Sequence, residues 1–255
     1  MEVIPGDDEQ LMVRSDTLVC ILARDMRVVS HFDMPAHCGR VAASEEFIYA
    51  THRFEHITSF THDGTEVAKY ADPDKYITSP VLAPGGLLFC VLFEIKADYS
   101  EDEIVALDAQ TLEPRYRFGQ SMLNFACGMV VAGEELFVCD QNNDRLQVFS
   151  LAGEHRRSIT GEWKQPLALC FVKDRLYLVE EYDDEDEDEE GELLNPQPGQ
   201  RIFVLSLQGD TLQVYTHPIQ GQFFADLCCF DGRLLAPVRN RQSANFKDVV
   251  ALCGV

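Results

Sequence analysis

Three groups of residues have the types and spacing to do chemistry. The first is an unbroken acidic run, Asp183, Asp184, Glu185, Asp186, Glu187, Asp188, Glu189 and Glu190. Adjacent carboxylates repel one another and stay hydrated rather than pack. The run therefore reads as a solvated loop, whose active use is a docking strip for a basic segment. It lacks the spaced ligands and turn glycine of a calcium loop. The second group is His52, Glu55 and His56, in which two imidazoles would face each other across a hairpin. Nothing supplies a further ligand at fixed spacing, so a satisfied or solvent-facing pair is expected rather than a metal site. The third is His37 with Asp226, two metal-capable side chains that lead into apolar strand-like runs. There is no Gly-x-Ser-x-Gly elbow and no phosphate-cradling glycine loop. No catalytic residue, metal or cofactor is assigned.

Charge narrows the partners. Lys and Arg number 21 against 43 Asp and Glu, a formal net charge of −22. That balance argues against nucleic acid, whose binding rests on neutralising phosphates, and against anionic membrane surfaces. No stretch is long and apolar enough to span a bilayer. The acidic start, MEVIPGDDEQ, does not read as a signal peptide. Nine cysteines, an odd number, lie mostly in apolar runs with no Cys-x-x-Cys. They read as buried thiols in a reducing compartment, and a cytoplasmic location is expected.

The elements that must position these groups are strands. Residues 128–161 hold apolar runs at 129–132, 136–139 and 145–149, a fourth strand at 155–159, and turns at Gly133 and Gly153. Four strands joined by tight turns make one meander, which cannot bury both faces alone. Residues 45–65 lie on 134–154 without a gap at a shift of 89, placing Phe60 on Phe149 and Gly64 on Gly153. That shift is two units of about 44 residues, within the range of propeller blades. Downstream, 167–171 and 175–179 repeat the first two strands at a shift of 40, and 201–205 repeats the third at a shift of 56. The excess is an insertion, 183–198, which contains the acidic run. The expected fold is all-β: a single six-bladed β-propeller over 1–255, built of four-stranded antiparallel blades. The blades are placed at about 3–38, 39–79, 80–127, 128–166, 167–225 and 226–255. The last has three strands, and whether Val3-Ile4-Pro5 lines the first blade or closes the last stays open. Pro5 suits an innermost strand, which has one unpaired edge.

Blade four carries Val138, Asp140, Asn143, Arg145, Leu146, Val148, Phe149 and Gly153. In this it resembles an NHL repeat, with its Val-x-Asp-x-x-Asn-x-Arg-Ile-x-Val-Phe pattern followed by a turn with glycine. Asp140 and Arg145 bracket one hairpin and would form a charge-assisted pair that fixes its shape. Glu180 with Arg201 keeps a version of the pair in blade five, and Thr51 with His56 replaces it in blade two. NHL-like geometry implies that the loops between second and third strands share one rim with the loops leading into each innermost strand. The first set includes 51–55, 94–102, 140–144, 181–200 and 239–247.

The second set is rich in large apolar residues: Met34, Tyr76 with Ile77, Met122 with Leu123 and Phe125, Trp163, and Phe223 with Phe224. These either wedge between blades or form an exposed collar that marks a partner site. The leading expectation is a protein- or peptide-binding scaffold. Its partner would be a basic segment with apolar anchors, held by the acidic run together with Trp163, Phe223 and Phe224. The alternative is a metal-dependent hydrolase or lactonase-like propeller enzyme.

Overall fold

A computed structural model describes residues 2–4, 10–15, 17–34, 38–94, 102–181, 198–219, 221–240 and 243–252. The fold is a six-bladed β-propeller in which each blade is a separate antiparallel sheet. The chain divides into two compact units, one of residues 1–126 with 150–155, the other of 127–149 with 156–255. No helix among the described residues is long and apolar enough to cross a membrane.

The first unit holds three blades. Blade one is β1 (Glu2–Ile4), β2 (Gln10–Ser15), β3 (Leu18–Leu22) and β4 (Val28–Asp33), paired in that order. The N-terminal strand thus lies in its own blade, with Val3 opposite Leu11. Blade two is β5 (Cys38–Ala43), β6 (Phe47–His52), β7 (His56–Thr61) and β8 (Glu66–Tyr70). Blade three is β9 (Lys75–Ala83), β10 (Leu87–Glu94), β11 (Asp102–Asp108) and β12 (Pro114–Leu123).

Successive side chains of a strand point to opposite faces, and β6 uses both. Ile48 and Ala50 pack with Ile4, Met12, Val19 and Ile21 of blade one. Tyr49 packs with Leu88, Cys90, Leu92 and Val105 of blade three, and its hydroxyl donates to the Ala109 carbonyl at 2.9 Å. Burial on both faces is why the middle strands read as continuous apolar runs.

The second unit holds the other three blades, apart from Ala126 and residues 150–155 of blade four, which belong to the first. Blade four is β13 (Ala126–Ala132), β14 (Glu135–Asp140), β15 (Arg145–Ser150) and β16 (His155–Thr160). Blade five is β17 (Pro166–Val172), β18 (Arg175–Glu180), β19 (Arg201–Leu205) and β20 (Thr211–Thr216). In blade six, β21 (Gln222–Phe224) and β22 (Cys228–Phe230) both pair β23 (Arg233–Asn240), which also pairs β24 (Ser243–Leu252). The innermost position is therefore one interrupted strand, and the blade has three strand positions. The break falls opposite Pro237, which has no N–H to give to a neighbour, while its carbonyl accepts the Ala225 N–H at 2.9 Å.

Two blade boundaries differ from the sequence reading. The inner strand of blade three begins at Lys75 rather than Pro80, because it runs through a register shift opposite Phe89 and Val91, with Ser79 at φ 50. Blade six begins at Gln222 rather than 226, because β21 precedes the break.

The repeated glycine has a double cause. Gly64, Gly153 and Gly209 have φ of +87, +87 and +98, a region that L side chains enter only at a cost. A Cβ there would also lie 2.8 Å from Phe32, 2.8 Å from Phe118 and 2.1 Å from Ile159, respectively. Those three side chains belong to the outermost strand of the preceding blade. The turn glycine thus sets how closely one blade approaches the next.

Candidate functional site

The loops between second and third strands are fastened, one after another, to the segment leading into the next blade. In the first unit the Phe54 carbonyl accepts the Ile77 N–H at 2.6 Å, and Asp102 Oδ2 accepts the Ala126 N–H at 2.7 Å. In the second unit Asp144 Oδ1 accepts the Gln165 N–H at 2.7 Å, and the Gly199 carbonyl accepts the Phe224 N–H at 2.8 Å. Backbone amides that would otherwise be orphaned on burial are thereby satisfied.

Blades four and five elaborate this with buried charge pairs. Asp140 ends β14 with no exposure. Its Oδ2 accepts Arg145 Nε at 2.6 Å, and Asn143 Nδ2 donates to Oδ1 at 2.9 Å. Gln141–Asn143 form one 3-10 turn, closed by Asp144 in the left-handed region at φ 51. Asp144 then grips the following segment twice, since its Oδ2 also lies 3.2 Å from Lys164 Nζ.

In blade five the equivalent carboxylate is Glu180, also without exposure. Arg201 meets it in a two-pronged pair, Nε to Oε2 at 2.9 Å and Nη2 to Oε1 at 2.6 Å. The Lys164 N–H adds a bond to Oε1 at 2.8 Å. Burial pushes the Glu180 carboxyl above its usual range, and the bonds from Arg201 and Lys164 only partly offset this. Glu180 and Arg201 are the last and first residues of the strands that flank the acidic insertion. The charge pair therefore closes the base of that insertion.

The acidic run itself, residues 183–190, lies outside the described residues, as does His37. Asp226 uses its Oδ1 to accept the Leu227 N–H at 2.9 Å. His52 and His56 stack with ring centroids 4.8 Å apart, and burial lowers the His56 pKa. Among the described residues no three His, Cys, Asp or Glu side chains come together as a metal site. Seven cysteine side chains are described, all free thiols, five of them buried.

The expected apolar anchors require correction. Trp163 has no exposure and lies among Phe137, Cys139, Leu146 and Phe203 in the core between blades four and five. Its ring occupies the space where a Cβ on Gly161 would fall. Phe223 and Phe224 are also buried, and Phe224 packs with Ala168, Tyr177 and Val179. Met34, Ile77 and Leu123 are buried too. These side chains lie inside the protein rather than present a surface to a partner.

Of the expected collar Phe125 is exposed, and in other loops so are Phe54 and Ile219. The sequence reading left Phe54 inside a polar loop. The available signal was a tight turn that carried two bulky residues and no glycine or asparagine.

No protein-family model matches the chain, and no curated protein matches it. Solved structures do. A protein of unknown function from Bacteroides caccae superposes with a TM-score of 0.69 at 13% identity, over 96% of this chain and 90% of that one. Virginiamycin B lyase from Staphylococcus aureus gives 0.63 at 12% identity, over 100% and 84%. BamB from Moraxella catarrhalis gives 0.52 at 13%, over 92% and 78%. The likeness is one of fold. At such identities a shared propeller carries no shared chemistry.

Proposed function

We propose that this propeller is a binding scaffold of a reducing, cytosolic compartment, and that the acidic insertion of blade five docks a basic segment of a partner protein or peptide. The observation that carries the reading is the braced base of the insertion. Glu180 and Arg201 hold its two ends together through a buried two-pronged pair, and Lys164 adds its backbone N–H. The two ends of a segment with eight consecutive carboxylates are thus held on a fixed platform. The carboxylates of that platform are engaged by donors of the same chain, so they shape the loops. The repeat residues Asp140, Asn143, Arg145 and Gly153 have the same architectural role. The net charge of −22 would accelerate encounter with a basic partner and make binding sensitive to salt. The reading calls for no metal or cofactor.

The test is a titration of a lysine-rich peptide into the intact protein and into a variant lacking residues 183–190, at low and at physiological salt. The expected result is affinity that falls at least tenfold on deletion and falls again as salt rises. Equal affinity of the two proteins would overturn the proposal.

A further inference from the structure

The turn between β6 and β7 is built against its own conformational preference. Arg53 and Phe54 are both left-handed, at φ 48 and 63, and the Glu55 N–H donates to the His52 carbonyl at 2.8 Å. Tight turns of this hand favour Asn-Gly or Asp-Gly, since other L-residues enter the region at a cost. Among the described residues the other paired left-handed positions each hold a glycine or an aspartate: Gly85 with Gly86, Lys173 with Asp174 and Asp231 with Gly232. Among the described pairs, only Arg53-Phe54 contains no glycine, asparagine or aspartate. Strain retained at a loop tip points to function in the side chains it presents.

Phe54 presents its ring to solvent, at 48% exposure. It meets Phe93 edge to face with centroids 5.7 Å apart, and Phe93 meets Tyr76 at 5.4 Å. Phe93 and Tyr76 are register partners on β10 and β9, and both are half-buried. The bond from Ile77 N–H to the Phe54 carbonyl holds the turn against β9. The result is a fixed, partly open platform of three aromatic rings within the first unit.

The described segments that carry these rings are acidic on balance. Lys75 is paired with Glu103, and Arg117 bridges Glu103 and Asp72. That leaves Glu55, Asp74 and Glu94 against Arg53 on the same segments. Partly open rings on acidic segments suit a cation, above all a guanidinium. The protein uses that geometry internally, with Arg157 over Phe137 at 5.5 Å and Arg201 over Phe203 at 5.0 Å. No cation of the described residues stands over Phe54.

We propose that Phe54, Phe93 and Tyr76 form a recognition site for an arginine side chain carried on an extended basic segment of a partner protein. The proposal does not rest on the insertion of blade five. Two variants separate its parts. Phe54→Ala removes the exposed ring. Replacing Arg53-Phe54 by Asn-Gly removes the ring and relieves the turn. The probe is a dye-labelled decapeptide that alternates arginine with leucine, and its control carries citrulline, which keeps the shape without the charge.

Fluorescence polarisation is expected to show the intact protein binding the arginine peptide about 3- to 30-fold more tightly than the citrulline peptide. Both variants should show a weaker preference, and the Asn-Gly variant should melt at a higher temperature than the intact protein. The variant lacking residues 183–190 should keep the preference. Undiminished preference in Phe54→Ala, or no preference in the intact protein, would overturn the site. A lower melting temperature in the Asn-Gly variant would overturn the strain on which it was inferred.

Discussion

Replacing Arg201 by alanine removes the partner of a carboxylate that has no exposure of its own. Two bonds disappear, the 2.9 Å bond to Oε2 and the 2.6 Å bond to Oε1. The Lys164 N–H still donates to Oε1, but it cannot neutralise the charge. Breaking a buried pair on one side costs about 3–5 kcal/mol, because an uncompensated charge stays behind. In a chain of this length that is a fall in melting temperature of about 6–20 °C.

The deficit should also depend on pH in a stated direction. The Glu180 carboxyl already sits above its usual 4.5 because of burial, and losing Arg201 raises it further. A carboxyl whose folded pKa is raised stabilises the fold below the unfolded pKa, and that contribution is lost as pH rises through the folded value. The gap between variant and parent should therefore be widest at neutral pH and narrow toward about pH 4. The double variant Glu180→Leu with Arg201→Leu should recover most of the loss, since no charge remains buried. Thermal melts of the three proteins across this range are the assay. A neutral-pH shift under about 2 °C, or a gap independent of pH, would refute the reasoning.

Other outcomes follow from the same geometry. Gly209→Ala should cost about 2–4 kcal/mol in urea denaturation from left-handed strain plus overpacking, since its Cβ would lie 2.1 Å from Ile159. Gly133→Ala should cost only about 1 kcal/mol, because nothing lies within 4 Å there. Trp163→Ala should destabilise by about 3–5 kcal/mol, as expected for a core wedge, and leave the affinity of the surviving folded protein for the lysine-rich peptide unchanged. Asp72→Asn should flatten the loss of stability on acidification. Burial raises the Asp72 carboxyl, but bonds from the Asp74 and Lys75 backbone and from Arg117 outweigh it and hold it low. Its contribution is thus present above the unfolded pKa of 3.8 and lost as pH falls further.

Much of the architecture was legible because the repeat is written in residues that each blade needs. Gly64, Gly153 and Gly209 recur because the backbone is left-handed and the neighbouring blade leaves no room for a Cβ. The pairing of Asp140 with Arg145, and of Glu180 with Arg201, follows from side chains that bracket one hairpin. The fastening of blade to blade was not legible. Its donors are the backbone N–H groups of Ile77, Ala126, Gln165 and Phe224, and a backbone donor leaves no mark on residue type. The fate of Trp163 was undecidable for a related reason: a wedge and an exposed collar both require a large apolar residue in a loop. Phe54 was overlooked because a lone aromatic in a polar turn carries no period, and only its backbone conformation shows that the position is unusual.

The docking of a basic segment on blade five is tested most directly by hydrogen–deuterium exchange with and without the lysine-rich peptide. The account predicts slowed exchange at 181–201, and at residues 140–145 and 164–166 that brace its base, with the outer strands β16 and β20 unaffected. Slowed exchange confined to those outer strands, or unchanged rates across 181–201 at saturating peptide, would contradict it.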